Sequence, residues 1–389
     1  MSYKVIITTN FSLNLAELQL PLMKALRAGG VDVLGCSPDG PGCDLVRQAN
    51  FLVENYEIDV HGTNPVTEAK TVFALRKIYK AHKPDLVQHS STKLAIYGTW
   101  AARAAGVSLV VNTITGLGFS FIHGGLYKKM IDALWMTSGR GASWTVFQNP
   151  DDKQVFIDSG LVSESRSSTI LGFGVDVQTF LPNSERCASN GSPMTFLCAG
   201  RMLWDKGIAE FVTAAAEINR SPALSRQGRF ILLGCSQGSN GALPKQWTGN
   251  PASIPEEWID EVRSRGNVEC LPFSSHILPY IQSADVVVLP SYREGLPRFL
   301  LEGMSCEKAV ITTDVPGCRE VVRHRENGFL VEARSAAALV SAYEYFLRNP
   351  AEVRRMGRVS RAMVVQKFSN ERVIDQTLRV YRNLGMQIG

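Results

Sequence analysis

A chain of 389 residues that is 45% hydrophobic and 20% charged has the composition of an ordinary folded protein, and its length suits two domains at roughly 150 residues each. No apolar run approaches the roughly 18 residues that span a bilayer, and the start, MSYKVIITT, lacks the charged and apolar regions of a secretion signal, so it reads as a first strand. The formal net charge of +5 says little alone, but ten Lys/Arg against two acids between residues 70 and 140, a local balance of +8, favour an acidic partner: nucleic acid, anionic lipid or a phosphorylated substrate.

Short apolar strands alternate with helical stretches twice along the chain. The first series has strands at 4–9, 31–37, 85–89, 108–112 and 145–148, with helices near 15–28, 67–82 and 93–105. The second has strands at 194–199, 229–235, 268–271, 286–290, 310–314 and 328–331, with helices at 208–219, 259–265 and 297–305. Such alternation predicts parallel sheets covered on both faces, hence two doubly wound α/β domains. The seam falls near residues 171–176, giving domains 1–173 and 174–369. The tail is helical over 351–367 and 371–384, and its last part, about 370–389, is expected to pack back on the first domain. Ligands of open parallel sheets sit beyond the carboxyl ends of the strands, so a cleft between two facing domains is the expected site.

The eight cysteines contain no C-x-x-C pair, and several lie in apolar strands, as buried thiols of a reducing compartment do. The six histidines show no metal-ligand spacing, so neither a protein-held metal nor another cofactor is expected.

The strand at 286–290 leads into the loop 291–296, and Pro297 fits the first turn of the following helix, where a missing N–H is no loss. The helix start suits a diphosphate, through its unbonded N–H groups and dipole, and Gly295 permits close backbone approach. Glu294 precedes the helix and Glu302 lies about 7–8 Å along it from Pro297. As pure acceptors the two carboxylates suit vicinal hydroxyls, of a sugar on one side of the diphosphate and of a ribose on the other. After the strand at 194–199, Gly200 turns the chain and Arg201 and Lys206 follow. Two cations there could neutralise a diphosphate leaving group without a metal ion.

In the first half, residues 113–122 (TITGLGFSFI) follow a strand, and Gly116 and Gly118 leave room for a ligand. Residues 11–14, including Ser12, follow the first strand and should face the same way, but no G-x-G-x-x-G loop occurs there, which disfavours a nicotinamide dehydrogenase. Residues 124–144 mix Lys128, Lys129 and Arg140 with Trp135 and Trp144. The stretch could lie on an anionic membrane or form a buried helix with a charged outer face. No nucleic-acid reader motif is evident, so nucleic acid is not an expected partner.

Residues 199–207 (AGRMLWDKG), 289–297 (LPSYREGLP), 300–302 (LLE), 313–320 (TDVPGCRE) and 327–330 (NGFL) resemble the family 4 retaining glycosyltransferases of the GT-B fold. The resemblance spans essentially the whole chain and is most specific in the second half. It implies that Arg201 and Lys206 hold a donor diphosphate, that Glu294 contacts donor-sugar hydroxyls and Glu302 the ribose, and that the backbone of Gly295, Leu296 and Pro297 surrounds a UDP-sugar. It also implies transfer with retention, no bound metal, and the departing phosphate as base. Residues 88–93 (QHSSTK) and 112–119 (NTITGLGF) are similar to bacterial enzymes that extend undecaprenyl-diphosphate-linked saccharides of O-antigen, capsule or glycoprotein glycans. This implies a lipid-linked acceptor met by the first domain, a hexose or N-acetylhexosamine donor, and a cytoplasmic protein peripheral to the inner face of the membrane. Thr115, Gly116, Ser12, Lys128 and Lys129 are the candidate acceptor residues. Many relatives carry a histidine where this chain has Thr115, and a neutral hydroxyl does not titrate near pH 7. Two other readings carry less: a GT-B-fold UDP-sugar epimerase, which needs two titrating groups near the sugar, and a non-catalytic membrane- or nucleic-acid-binding module.

Overall fold

A computed structural model describes residues 3–60, 62, 64–117, 125–183, 192–225, 227–235 and 252–389, with backbone alone for 125–130. The chain divides into two compact units, Met1–Gly174 with Asn370–Gly389, and Val175–Ser369.

In the first unit, β1 (Lys4–Thr9), β2 (Asp32–Ser37), β3 (Leu52–Asn55), β4 (Leu86–Ser90), β5 (Leu109–Ile114), β6 (Trp144–Phe147) and β7 (Ser167–Thr169) form one sheet in the order β3-β2-β1-β4-β5-β6-β7. Every pairing is parallel. Its helices are α1 (Ser12–Asn14), α2 (Leu20–Ala28), α3 (Pro41–Gln48), α4 (Pro65–His82), α5 (Thr92–Ala105), α6 (Gly125–Gly139) and α7 (Pro150–Asp158). Central strands such as β1 and β4 are buried on both faces, which their β-branched, apolar sequences suit.

The second unit holds β8 (Met194–Ala199), β9 (Gly228–Cys235), β10 (Glu269–Pro272), β11 (Val286–Leu289), β12 (Ala309–Thr313) and β13 (Gly328–Val331) in the parallel order β10-β9-β8-β11-β12-β13. Around it lie α8 (Ile208–Arg220), α9 (Glu256–Arg265), α10 (Leu278–Ser283), α11 (Arg298–Ser305), α12 (Ala336–Arg348) and α13 (Pro350–Lys367). Phe196, Phe211, Phe230 and Tyr343 form an aromatic centre for its core. The last helix, α14 (Asn370–Asn383), belongs to the first unit: Tyr381 is fully buried there, and its hydroxyl donates to Gln88 Oε1.

Each sheet reverses its winding once, between β1 and β4 in the first unit and between β8 and β11 in the second. In Rossmann-like sheets that reversal leaves a crevice at the carboxyl ends of the two strands, and β8 and β11 are direct neighbours there.

Two expectations change, and for residues 124–144 the structure favours one of the two readings. The first helical stretch begins at Ser12 and passes through a π-turn, Leu15–Gln19, before α2. Pro21 has no N–H to give the carbonyl four residues back, and a wider turn absorbs the loss. Pro297 caps α11 from outside, with ψ 100°, instead of opening its first turn. Of the tryptophans of 124–144, Trp135 is fully buried with its ring edge-on to Phe156 at 4.9 Å, and Trp144 is half-buried in β6 with Nε1 donating to Ser168 Oγ at 2.9 Å. The Trp135 indole therefore does not supply a membrane-facing surface.

Candidate active site

The second unit builds its site from the two loops that leave the reversal point. The chain after β8 makes a tight turn at Trp204–Lys206 and enters α8 through Gly207. Gly207 has φ +71°, and a Cβ there would sit 2.0 Å from the Pro290 carbonyl oxygen, so only glycine lets the β8 loop lie against the β11 loop. Hydrogen bonds then stitch the two together. Tyr292 N donates to Asp205 O at 2.8 Å, Ser291 Oγ to the same carbonyl at 3.0 Å, and the Tyr292 hydroxyl to Glu210 Oε1 at 2.7 Å.

This stitching brings Lys206 and Glu294 together although 88 residues separate them: Nζ lies 2.5 Å from Oε1, and the side chains are 17% and 12% exposed. A third loop holds Glu294 from the other side. Its N–H donates to Pro316 O at 3.0 Å, and Gly317, at φ +84°, presses on its carbonyl so closely that a Cβ would stand 2.3 Å from that oxygen. Thr313 Oγ1 closes the arrangement on Ser291 O. Glu302 is buried one turn into α11 and paired with Arg298, Nε to Oε1 2.7 Å. Gly295 and Pro297 are buried and Leu296 half-buried, and Pro297 stands at the N-cap of α11, where its ring offers no capping bond. A Cβ added at Gly200 would meet open space, and the half-buried Arg201 follows it, with no side-chain hydrogen bond or ion pair among the described residues. Neighbouring thiols are poor nucleophiles, because burial pushes Cys198 and Cys318 up to about 12.

Arg201, Lys206, Glu294 and Glu302 thus gather at the carboxyl ends of β8 and β11, but two carboxylates already hold cations. The arrangement places positive charge near the start of α11, with the Glu294 carboxylate before that helix and Glu302 within it, which suits a ligand with a diphosphate and hydroxyls. Among the described residues, no group of three or more His, Cys, Asp or Glu could hold a metal ion. Sequence reasoning missed Tyr292, Glu210 and Asp205, the residues that hold the loop. Tyr292 lay inside a motif read for its glutamates, and nothing local marks Glu210 as its partner.

In the first unit, Thr115 and Gly116 follow β5, half-buried, with Thr92 Oγ1 donating to Gly116 O at 3.1 Å. Ser12 is only 5% exposed and is packed under the turn at Gly40 and Gly42, so its hydroxyl is covered instead of presented. Lys128 and Lys129 fall within α6, where the backbone alone is described, and residues 118–123 lie outside the described residues. His89 is fully buried, bonded through Nδ1 to Asn112 Oδ1 at 2.8 Å and through Nε2 to the Tyr79 hydroxyl at 3.1 Å. Asn112 uses its amide N to donate to Thr99 Oγ1, so its oxygen accepts from Nδ1–H and Nε2 accepts from Tyr79. Burial lowers His89 to about 4, which keeps the ring neutral. It is a structural histidine and does not stand in for the one absent at Thr115. The +8 stretch is likewise not one open patch: Arg103 donates to the carbonyls of Val107, Ser108 and Gly141, and Lys93 pairs with the buried Glu68 at 2.6 Å.

Two family profiles match the chain: one described as glycosyl transferases group 1 over residues 182–363, and one as glycosyl transferase 4-like over residues 12–136. The chain is 26% identical, over 83% of its length and 84% of the relative's, to the N,N'-diacetylbacillosaminyl-diphospho-undecaprenol alpha-1,3-N-acetylgalactosaminyltransferase of Campylobacter jejuni. It is 24% identical, over 71% of its length and 70% of the relative's, to the UDP-Gal:alpha-D-GlcNAc-diphosphoundecaprenol alpha-1,3-galactosyltransferase of Escherichia coli. Among solved structures, Anabaena HepE in complex with UDP-glucose superposes with a TM-score of 0.77 at 18% identity, covering 98% of this chain and 99% of that one. The chain therefore belongs to the family 4 glycosyltransferases: it is a transferase of the GT-B fold, with a glycosyl transferase 4-like first half and a group 1 second half.

Proposed function

We propose that this glycosyltransferase moves a hexose or N-acetylhexosamine from a UDP-sugar to an undecaprenyl-diphosphate-linked saccharide, with retention, during assembly of a surface polysaccharide or glycan. The observation that carries the reading is the Lys206–Glu294 pair, held at the carboxyl ends of β8 and β11 where the sheet reverses. The two lipid-diphosphate relatives and the UDP-glucose in the HepE structure support the acceptor and donor classes.

In this account the donor enters with its diphosphate at the start of α11. Lys206 and Arg201 turn to the phosphate oxygens, Glu294 then accepts from sugar hydroxyls, and Glu302 accepts from the ribose diol. Charge develops on the diphosphate as the bond from the anomeric carbon to phosphate oxygen breaks, and the two cations stabilise it there. The acceptor hydroxyl bonds to the anomeric carbon from the same face and passes its proton to the departing phosphate oxygen. UDP and the extended lipid-linked saccharide leave, and no metal ion is required. No helix among the described residues is long and apolar enough to cross a membrane, so the protein would meet its acceptor peripherally, at the inner face of the cytoplasmic membrane.

The test is a panel of UDP-hexoses and UDP-N-acetylhexosamines offered with a synthetic lipid-diphosphate saccharide. UDP release that requires both substrates, and that falls in both Lys206→Ala and Glu294→Ala, is the expected outcome. Full turnover in both variants would remove the site assignment. Epimer formed from a UDP-sugar without acceptor would favour an epimerase.

A further inference from the structure

Helix α4 turns an unusual face outward. Its inner side carries Thr71, Leu75 and Tyr79, all buried, and its one acidic residue, Glu68, is also turned in and paired with Lys93. Outward it presents Val66 at 64% and Phe73 at 66% exposure, with Lys70, Lys77 and Lys80 also exposed. At 3.6 residues per turn, Val66, Phe73 and Lys77 fall within about 40° of one another, and Lys70 and Lys80 lie about 40° to either side of Val66. Ala69 and Ala81 fill the flanks. Val66 and Phe73 stand about 10 Å apart along the axis.

A single exposed phenylalanine is ordinary. Two apolar side chains on one ridge, bracketed by three lysines with every acid of the helix turned away, are a different matter. A purely solvated face has use for the lysines but none for the ridge. A protein partner that fitted the ridge would have to bring its own acids in register, whereas a sheet of anionic headgroups over hydrocarbon meets both features at once. Nucleic acid would satisfy the charge and leave Val66 unused.

We propose that the outward face of α4 is a membrane-docking surface for anionic phospholipid, with Phe73 and Val66 entering the interface and Lys70, Lys77 and Lys80 holding the headgroups. The proposal rests on the reading of a membrane-borne acceptor and names the surface through which the chain reaches it. It also accounts for part of the +8 stretch, whose Trp135 the fold buries.

Flotation of the full chain with vesicles tests it. Wild type is expected to float with phosphatidylcholine vesicles that contain phosphatidylglycerol, weakly with phosphatidylcholine alone, and less as salt rises. Each lysine near such a surface is worth about fivefold in partitioning, so Lys70→Glu with Lys77→Glu should lower it at least about 25-fold, and Phe73→Ser about tenfold. Turnover on a short-chain, water-soluble acceptor should stay within about twofold in these variants, while turnover on vesicle-embedded acceptor falls with binding. Variants that float like wild type overturn the proposal, as does binding of RNA in preference to vesicles, or an equal loss on the soluble acceptor. The lipid reading and the enzymatic one fail separately: vesicle binding lost in the α4 variants of a protein that turns over no UDP-sugar leaves the docking surface standing and removes the donor assignment.

Discussion

Replacing Lys206 by methionine removes a charge and keeps most of the stem. Two effects follow, and they separate. With its partner gone, the Glu294 carboxylate, 12% exposed, is left without its cation. Breaking a fully buried pair costs about 3–5 kcal/mol, and the residual solvent access of both side chains reduces this to ~2–3 kcal/mol. For a unit of this size that is a fall of about 5–10 °C in Tm. Catalysis should lose more, because a charge-assisted contact to the leaving diphosphate is worth ~100- to 1,000-fold in kcat, as for one donor of an oxyanion hole. Calorimetry reads the first effect and UDP release with saturating acceptor reads the second. Adding Glu294→Gln separates them further: the double variant no longer strands a charge, so it should regain much of the lost Tm while turnover stays at or below that of Lys206→Met. A single variant within threefold of wild-type kcat/KM, or a double variant that regains turnover together with stability, would refute the assignment and leave the pair as a structural brace.

Tyr292→Phe removes the donor to Glu210 at 2.7 Å and should destabilise the second unit by ~1–2 kcal/mol in thermal unfolding, with a smaller effect on turnover than Lys206→Met. The buried His89 makes stability depend on pH. Its native value is near 4 against about 6.5 unfolded, so below pH 6.5 the unfolded chain binds a proton that the native one refuses. Stability should therefore be lost as pH falls from about 6.5 toward 4, by up to ~3 kcal/mol, and denaturant titrations of His89→Gln should show a correspondingly flatter dependence over that range. Donor turnover should withstand EDTA after exhaustive dialysis, and recovery of lost activity by Mg²⁺ or Mn²⁺ would contradict the metal-free step.

The parallel strands were the most legible part of the chain, because β-branched runs such as those of β1, β11 and β12 are buried on both faces and little else in the sequence competes with them. The edge strand β3 is less legible, since it offers only Leu52 and Val53 before two polar residues and Leu52 is 71% exposed. Helix α12 is absent from the alternation above although its signal is present: Leu339, Ala342, Tyr343, Phe346 and Leu347 repeat at helical spacing behind the cap Ser335, whose side chain accepts from Ala338 N. At the site, the positions after β8 and β11 follow from strand ends alone, so Arg201, Lys206 and Glu294 could be named. That Lys206 would hold Glu294 could not be read, because that pairing depends on how three loops pack, whereas Arg298 and Glu302 stand four apart on one helix, a spacing the sequence displays. The aromatic and basic composition of 124–144 is common to a membrane-facing helix and a core helix, and only packing separates the two: Trp135 goes inside, while Phe73 of α4 stays out.

The central claim is glycosyl transfer from a UDP-sugar to a lipid-diphosphate saccharide with the anomeric configuration kept. NMR of the product formed from an α-linked UDP-sugar and a synthetic short-chain lipid-diphosphate saccharide tests it most directly. The account predicts one added sugar residue joined by an α-linkage, and a β-linked product would contradict it.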